Sequence, residues 1–149
     1  MKLFLVILIV AAILQTTLIP LNLCLTLLIA RTLIVSEKMN LFLAFLGGIL
    51  VGFLSSQNIG FYAIFFLLIS KLLSLVKITP IHSNIYAILP LSFLGFLLMA
   101  FGELVFLKIS LSYGKIIVET CISIPTYFLL RFWEGRFIVR PQIKLRVKS

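Results

Sequence analysis

The chain offers few side chains for acid–base or metal chemistry, because it has four acidic residues and one histidine. Glu103 and Glu119 are the most informative, since each lies about one helical turn inside an apolar segment, with Lys108 and Lys115 nearby. Lys115 and Glu119 are four residues apart and can pair along one helix face. Carboxylates in such segments usually face a bundle interior and find partners. We therefore interpret Glu103 and Glu119 either as members of a satisfied interfacial ion pair or as polar contacts for a partner helix or small ligand.

The remaining reactive residues indicate no active site. His82 lies beside Pro80 in a short loop and reads as a solvated residue. Cys24 and Cys121 fall inside apolar segments, where a free cysteine behaves as a small hydrophobic residue. The sequence shows no phosphate-binding glycine loop and no nucleophile elbow. We expect a non-enzymatic protein with no cofactor and no metal.

Apolar residues dominate the elements that must position these side chains. The composition is 62% hydrophobic and 11% charged, and the mean hydropathy is +1.28. A helix needs about 20 apolar residues to cross a bilayer. The pattern predicts an all-α, polytopic membrane helix bundle of about six transmembrane helices. The second and third segments are short, so the number of spans is five or six. The predicted segments are 3–19, 21–35, 41–54, 61–76, 86–107 and 116–133.

The basic residues predict the orientation of these segments. If the N-terminus is cytoplasmic, the external gaps hold only Lys108 and Lys115 of the 13 basic residues. Short cytoplasmic loops are enriched in Lys and Arg, so both termini are expected in the cytoplasm. The inner gaps and ends hold Lys2, Arg31, Lys38, Lys71, Lys77, Arg131, Arg136, Arg140, Lys144, Arg146 and Lys148.

The two ends of the chain differ in character. The apolar run after Lys2 resembles a signal peptide, but no small-x-small cleavage site follows it, so we expect a retained first helix. Residues 1–133 form the predicted transmembrane domain, and residues 134–149 form a basic cytoplasmic tail. That tail is expected to lie on anionic lipid or to dock a cytoplasmic partner, and nucleic-acid binding is not expected. Its basic residues are Arg136, Arg140, Lys144, Arg146 and Lys148.

Small residues on the third segment indicate close helix packing. Gly48 and Gly52 are four residues apart, which allows two helix backbones to approach closely in a membrane. Packing within the chain and packing against a partner both remain open for this face.

The order of these features resembles a known family. Residues 48–63, GILVGFLSSQNIGFYA, are similar to the central region of the MreD family, the bacterial rod shape-determining membrane proteins. Two features differ from the family. Gly52 stands where the family usually has an acid, and residues 56–58 replace its Gly-Ser-Pro turn. The matching residues are Leu14, Gln15, Thr17, Leu18, Pro20, Arg31, Ser55, Gly60, Tyr62 and Ala63.

The resemblance implies a scaffold in the cell-wall elongation machinery of the bacterial inner membrane. Such a protein maintains rod shape by coupling an MreC-like periplasmic protein and the peptidoglycan synthases to the cytoskeletal filament. On this likeness Gly60 joins Gly48 and Gly52 as a helix-packing glycine, and Arg31 joins the candidate polar contacts. The alternative is a vitamin-binding subunit of an energy-coupling-factor-type transporter, with a small channel as a third interpretation.

The charge pattern makes a testable prediction of topology. In a chain with Cys24 and Cys121 replaced, we expect a cysteine at Ser112 to react with a membrane-impermeant thiol reagent in intact cells. A cysteine at Ser149 is expected to stay unlabelled until the cells are opened. The reverse labelling pattern would overturn the orientation.

Overall fold

The chain folds as an all-α protein. A computed structural model describes residues 2–18, 20–34, 39–56, 58–76 and 88–137, and this part of the chain contains six helices and no β-strand. Each helix overlaps one predicted apolar segment, so the predicted all-α architecture is confirmed. The helices are α1 (Lys2–Thr17), α2 (Leu23–Ile34), α3 (Met39–Leu54), α4 (Ile59–Val76), α5 (Ile88–Leu107) and α6 (Tyr113–Phe137).

A polar residue directly before an apolar run starts each of three helices. Asn22 precedes α2, Asn58 precedes α4 and Ser112 precedes α6. The backbone carbonyls of these three residues accept hydrogen bonds from N–H groups in the first turn of their helices, those of Thr26, Phe61 and Ile116, at 3.0, 3.0 and 3.3 Å, respectively. Asn and Ser are preferred at the position before a helix, so these polar residues determine where the three helices begin.

Helix α2 lies at the centre of the bundle. It packs against each of the other five helices, and none of its residues is exposed. With 12 residues it is the shortest helix, about 18 Å long at 1.5 Å per residue. Its neighbours supply much of the core around it. The largest fully buried side chains are those of Phe4, Phe66, Phe96, Leu8, Leu25, Leu28, Ile29, Leu43, Ile69, Met99, Val51 and Thr32.

Helices α3 and α4 make the most extensive contact in the bundle. A Cβ atom added to Gly48 would lie against the Cα of Ala63 and 2.6 Å from the carbonyl oxygen of Tyr62. Only glycine therefore allows the two backbones to come this close. Gly52 is also buried on α3, whereas Gly60 is exposed at the start of α4 and an added Cβ there would meet no atom within 4 Å. Gly60 does not belong to this contact.

Two helices in the described part of the chain are long and apolar enough to cross a membrane. They are α5, with 20 residues, and the Tyr113–Trp133 portion of α6, with 21. The apolar portions of the other four helices are shorter, at 10–17 residues each. They are Leu3–Thr17 of α1, Leu23–Ile34 of α2, Met39–Leu54 of α3 and Gly60–Val76 of α4.

The close approach at Gly48 predicts a difference between two otherwise matched substitutions. Gly48→Ala and Gly60→Ala both replace a helical glycine and gain similar helix propensity, at most about 1 kcal/mol. Only Gly48→Ala must push α4 away, and overpacking of this kind costs about 1–3 kcal/mol. In detergent, we expect thermal unfolding at a lower temperature for Gly48→Ala than for Gly60→Ala. Equal unfolding temperatures would contradict the backbone contact.

Candidate functional site

A cluster of polar side chains lies where the start of α2 meets the end of α5 and the first turns of α6. Glu103 and Glu119 are both buried, at 8% and 2% exposure, and Asn22 is 6% exposed. The fold thus brings together the two carboxylates that the sequence singled out. The structure turns both inward, so their contacts lie within the chain and not on its outer surface.

Glu119 of α6 accepts a hydrogen bond from the start of α2. Its Oε1 atom lies 2.8 Å from the backbone N–H of Asn22, which donates. The first backbone N–H groups of a helix have no partner within the helix, and its N-terminus favours negative charge. Glu119 therefore satisfies a buried donor and complements the helix dipole of α2 at the same time.

Gln15 of α1 completes the cap on α2. Its Oε1 atom accepts a hydrogen bond from the backbone N–H of Cys24 at 3.1 Å, and its Nε2 atom donates to Oδ1 of Asn22 at 3.3 Å. Side chains from α1 and α6 therefore supply the acceptors that the buried end of α2 needs. A polar residue just before an apolar run is a readable helix-start pattern, which applies to Asn22. The contribution of Gln15 depends on the tertiary fold, and no sequence pattern indicates it.

Lys115 lies between the two carboxylates. Its Nζ atom is 3.8 Å from Oε2 of Glu103 and 4.0 Å from Oε1 of Glu119. The second contact is the pairing four residues apart that the sequence predicts, and the first joins α5 to α6. The Lys115 side chain is 32% exposed, whereas those of Glu103 and Glu119 are 10% and 3% exposed. The ammonium group thus closes the cluster on its more accessible side.

A cavity of about 240 Å³ adjoins this cluster. Its apolar wall comes from α5, α6 and the loop between them, and this loop begins at Lys108 with a left-handed φ of 55°. The lining residues are Asn22, Phe96, Ala100, Glu103, Ile109, Ser110, Leu111, Ser112, Lys115, Ile116 and Glu119.

Arg31 lies near the opposite end of α2. It is in the last turn of that helix and only 4% exposed. Its guanidinium carbon lies 4.4 Å from the ring centre of Phe4, and its Nε atom donates to Oδ1 of Asn40 at 3.1 Å. A cation here complements the C-terminal end of the helix dipole. The structure thus gives Arg31 contacts inside the bundle, and its contact with a partner stays a prediction.

The predicted packing glycines of α3 do not join the cluster. Gly48 and Gly52 lie on α3, which packs on α4. The side chain of Arg136 and all of Arg140, Lys144, Arg146 and Lys148 lie outside the described residues, as does His82. Within the described ranges no group of three His, Cys, Asp or Glu side chains could hold a metal ion.

Comparison with known protein families, characterised proteins and solved structures finds no match to this chain.

The cap on α2 predicts different effects of two substitutions at one position. Glu119→Leu leaves the buried N–H of Asn22 without an acceptor, which costs about 1–3 kcal/mol of unfolding free energy. Glu119→Gln keeps an oxygen acceptor of nearly the same shape, so we expect a smaller loss. Equilibrium unfolding in mixed detergent micelles measures both. If the leucine variant is as stable as the glutamine variant, the hydrogen bond does not stabilise the fold.

Proposed function

We propose that this chain is a multi-pass protein of the bacterial cytoplasmic membrane, with six membrane-embedded helices and both termini in the cytoplasm. The supporting observation is the distribution of polarity. Large apolar side chains are exposed on every helix except α2, among them Val6 at 56%, Ile64 at 62% and Leu129 at 69%. The buried charges, by contrast, lie around the ends of α2. Contiguous exposed apolar surface is unusual in water, whereas lipid favours it.

The short helices are compatible with this placement. Helices α1, α3 and α4 have 16, 16 and 18 residues, which corresponds to about 24–27 Å and spans most of a hydrocarbon core of about 30 Å. Small mismatches are absorbed by bilayer thinning or flanking residues. Helix α2 is shorter still, but its neighbours surround it, so it need not match the thickness of the lipid.

Within the membrane, we propose that the chain is a non-enzymatic scaffold of the cell-wall elongation machinery. It would couple an MreC-like periplasmic protein and peptidoglycan synthases to the cytoskeletal filament and so maintain rod shape. The support is the resemblance across residues 14–20 and 48–63 together with the short connections between the described helices. Such a bundle offers partners its helix faces, since the connections in the described part of the chain are short. The basic tail would add a contact with anionic lipid.

A vitamin-binding subunit of an energy-coupling-factor-type transporter is the second candidate. The cavity beside Glu103, Lys115 and Glu119 favours it, because binding sites combine an apolar wall with a few convergent polar groups.

The scaffold proposal predicts a partner and a phenotype. After mild detergent extraction, the chain is expected to co-purify with a single-span periplasmic protein that contains a coiled coil, and its depletion is expected to make rod-shaped cells round. Phe101 on α5 is 57% exposed and tests the helix-face contact, with the buried Phe96 as reference. Phe101→Ala should weaken co-purification without lowering the unfolding temperature, whereas Phe96→Ala should lower that temperature. Capture of an ATPase module with a bound vitamin, with cell shape unchanged, would replace the scaffold by the transporter.

A further inference from the structure

The cavity at the start of α6 is lined by more acidic than basic groups. Two carboxylates and one ammonium line it, and in their ionised forms they sum to one negative charge. A buried net charge is unfavourable unless a counter-charge and hydrogen bonds accompany it. The other lining residues have apolar, amide or hydroxyl side chains, so Lys115 is the only basic group among the described residues that line the cavity.

Glu103 is the carboxylate with unused bonding capacity. Its side chain is 10% exposed, and its charged contact in the described part of the chain is Lys115 at 3.8 Å. Charge-assisted hydrogen bonds between nitrogen and carboxylate oxygen measure about 2.7–2.9 Å, so this contact leaves room for a closer donor. Glu119 differs, because it already accepts the N–H of Asn22 at 2.8 Å.

The shape of the cavity adds a second requirement. Its volume of about 240 Å³ far exceeds the 10–15 Å³ or so that one water molecule needs. Phe96, Ala100, Ile109 and Ile116 provide an apolar wall beside the carboxylates. A ligand that fits therefore has a short hydrocarbon part as well as a hydrogen-bonding cation.

We propose that this cavity binds a small organic cation with a primary ammonium group, which donates hydrogen bonds to Glu103 while its alkyl part lies against Phe96 and Ile116. Binding brings the charge of the three ionised side chains and the ligand to zero. A divalent metal ion fits poorly, because the ammonium of Lys115 lies within 4.0 Å of both carboxylates and repels it. An anion would meet the two carboxylates. The proposal depends on this cavity and does not require the scaffold role.

The purified full chain in lipid nanodiscs tests the proposal with n-propylammonium as the probe. We expect saturable binding by calorimetry and an unfolding temperature a few degrees higher, since a ligand that binds only the folded state stabilises it. Tetramethylammonium and sodium at the same ionic strength serve as controls, because they carry the same charge but no N–H donor. If either control raises the unfolding temperature as much as n-propylammonium, the proposed site is wrong.

Two variants test the residues by opposite effects. Glu103→Gln removes the negative charge with little change of shape and should weaken n-propylammonium binding at least tenfold. Lys115→Gln removes the competing ammonium and should tighten it. The same affinity in Glu103→Gln and wild type would overturn the proposal, even if Lys115→Gln does not fold. Because these measurements use the isolated chain, their failure leaves co-purification and cell shape as separate tests of the scaffold.

Discussion

The fold depends on satisfying the two buried ends of one short helix. Helix α2 has 12 residues and packs against all five other helices, so its termini lie inside the bundle and not in solvent. A helix leaves about four N–H groups and four carbonyls unpaired at its ends, and each buried unpaired group is costly. The neighbouring helices must therefore supply polar side chains that lie level with the two ends of α2. Gln15 and Glu119 do so at one end of α2, and Arg31 places its charge at the other.

These polar contacts also align the helices that make them. At its N-terminal end α2 is bonded to α1 through Gln15 and to α6 through Glu119. Near its C-terminal end, Arg31 contacts Phe4 of α1 and Asn40 of α3. Helix α1 is thus held at both ends of α2, which resists sliding of one helix along the other. Apolar contacts alone specify such longitudinal position weakly, because neighbouring leucines and isoleucines are similar in shape.

The sequence predicted the helices better than their arrangement. Six apolar segments separated by proline or polar residues, such as Pro20, Asn58 and Ser112, are sufficient to locate α-helices, because these residues mark where helices begin or stop. The pairing of Lys115 with Glu119 was also predictable, since residues four apart are neighbours on any helix. Identifying the central helix was not possible in this way. The six helices are only weakly amphipathic, so no polar face shows which helix the others surround.

The same limit explains why residues of one type differ in role. Gly48 and Gly60 both lie in apolar helices, yet only Gly48 faces a neighbouring backbone. Arg31 reads in sequence as a cation at a membrane surface, but the fold directs it onto an aromatic ring and an amide. In each case the environment comes from a helix distant in the chain. Tertiary contacts, and not local pattern, determine the role of such residues.

Internal use of the polar groups has a consequence for recognition. With the carboxylates and Arg31 buried, the outer surface of the described helices consists mainly of aliphatic and aromatic side chains. In lipid such faces associate through close packing. A partner helix is no more apolar than the acyl chains it displaces, so the hydrophobic effect does not favour the association. The specificity for a partner helix then depends on the shape of the helix face, and aromatic rings give such a face a defined shape. Phe106 of α5 is 66% exposed, and its ring packs with those of Phe65 and the buried Phe61 of α4, with ring centres 4.5–6.1 Å apart. Gly102 admits the ring of Phe65 into this contact. In the proposed scaffold, polar contacts would hold the core in register, while aromatic rings on the outer helix faces would supply the shape that partner helices recognise.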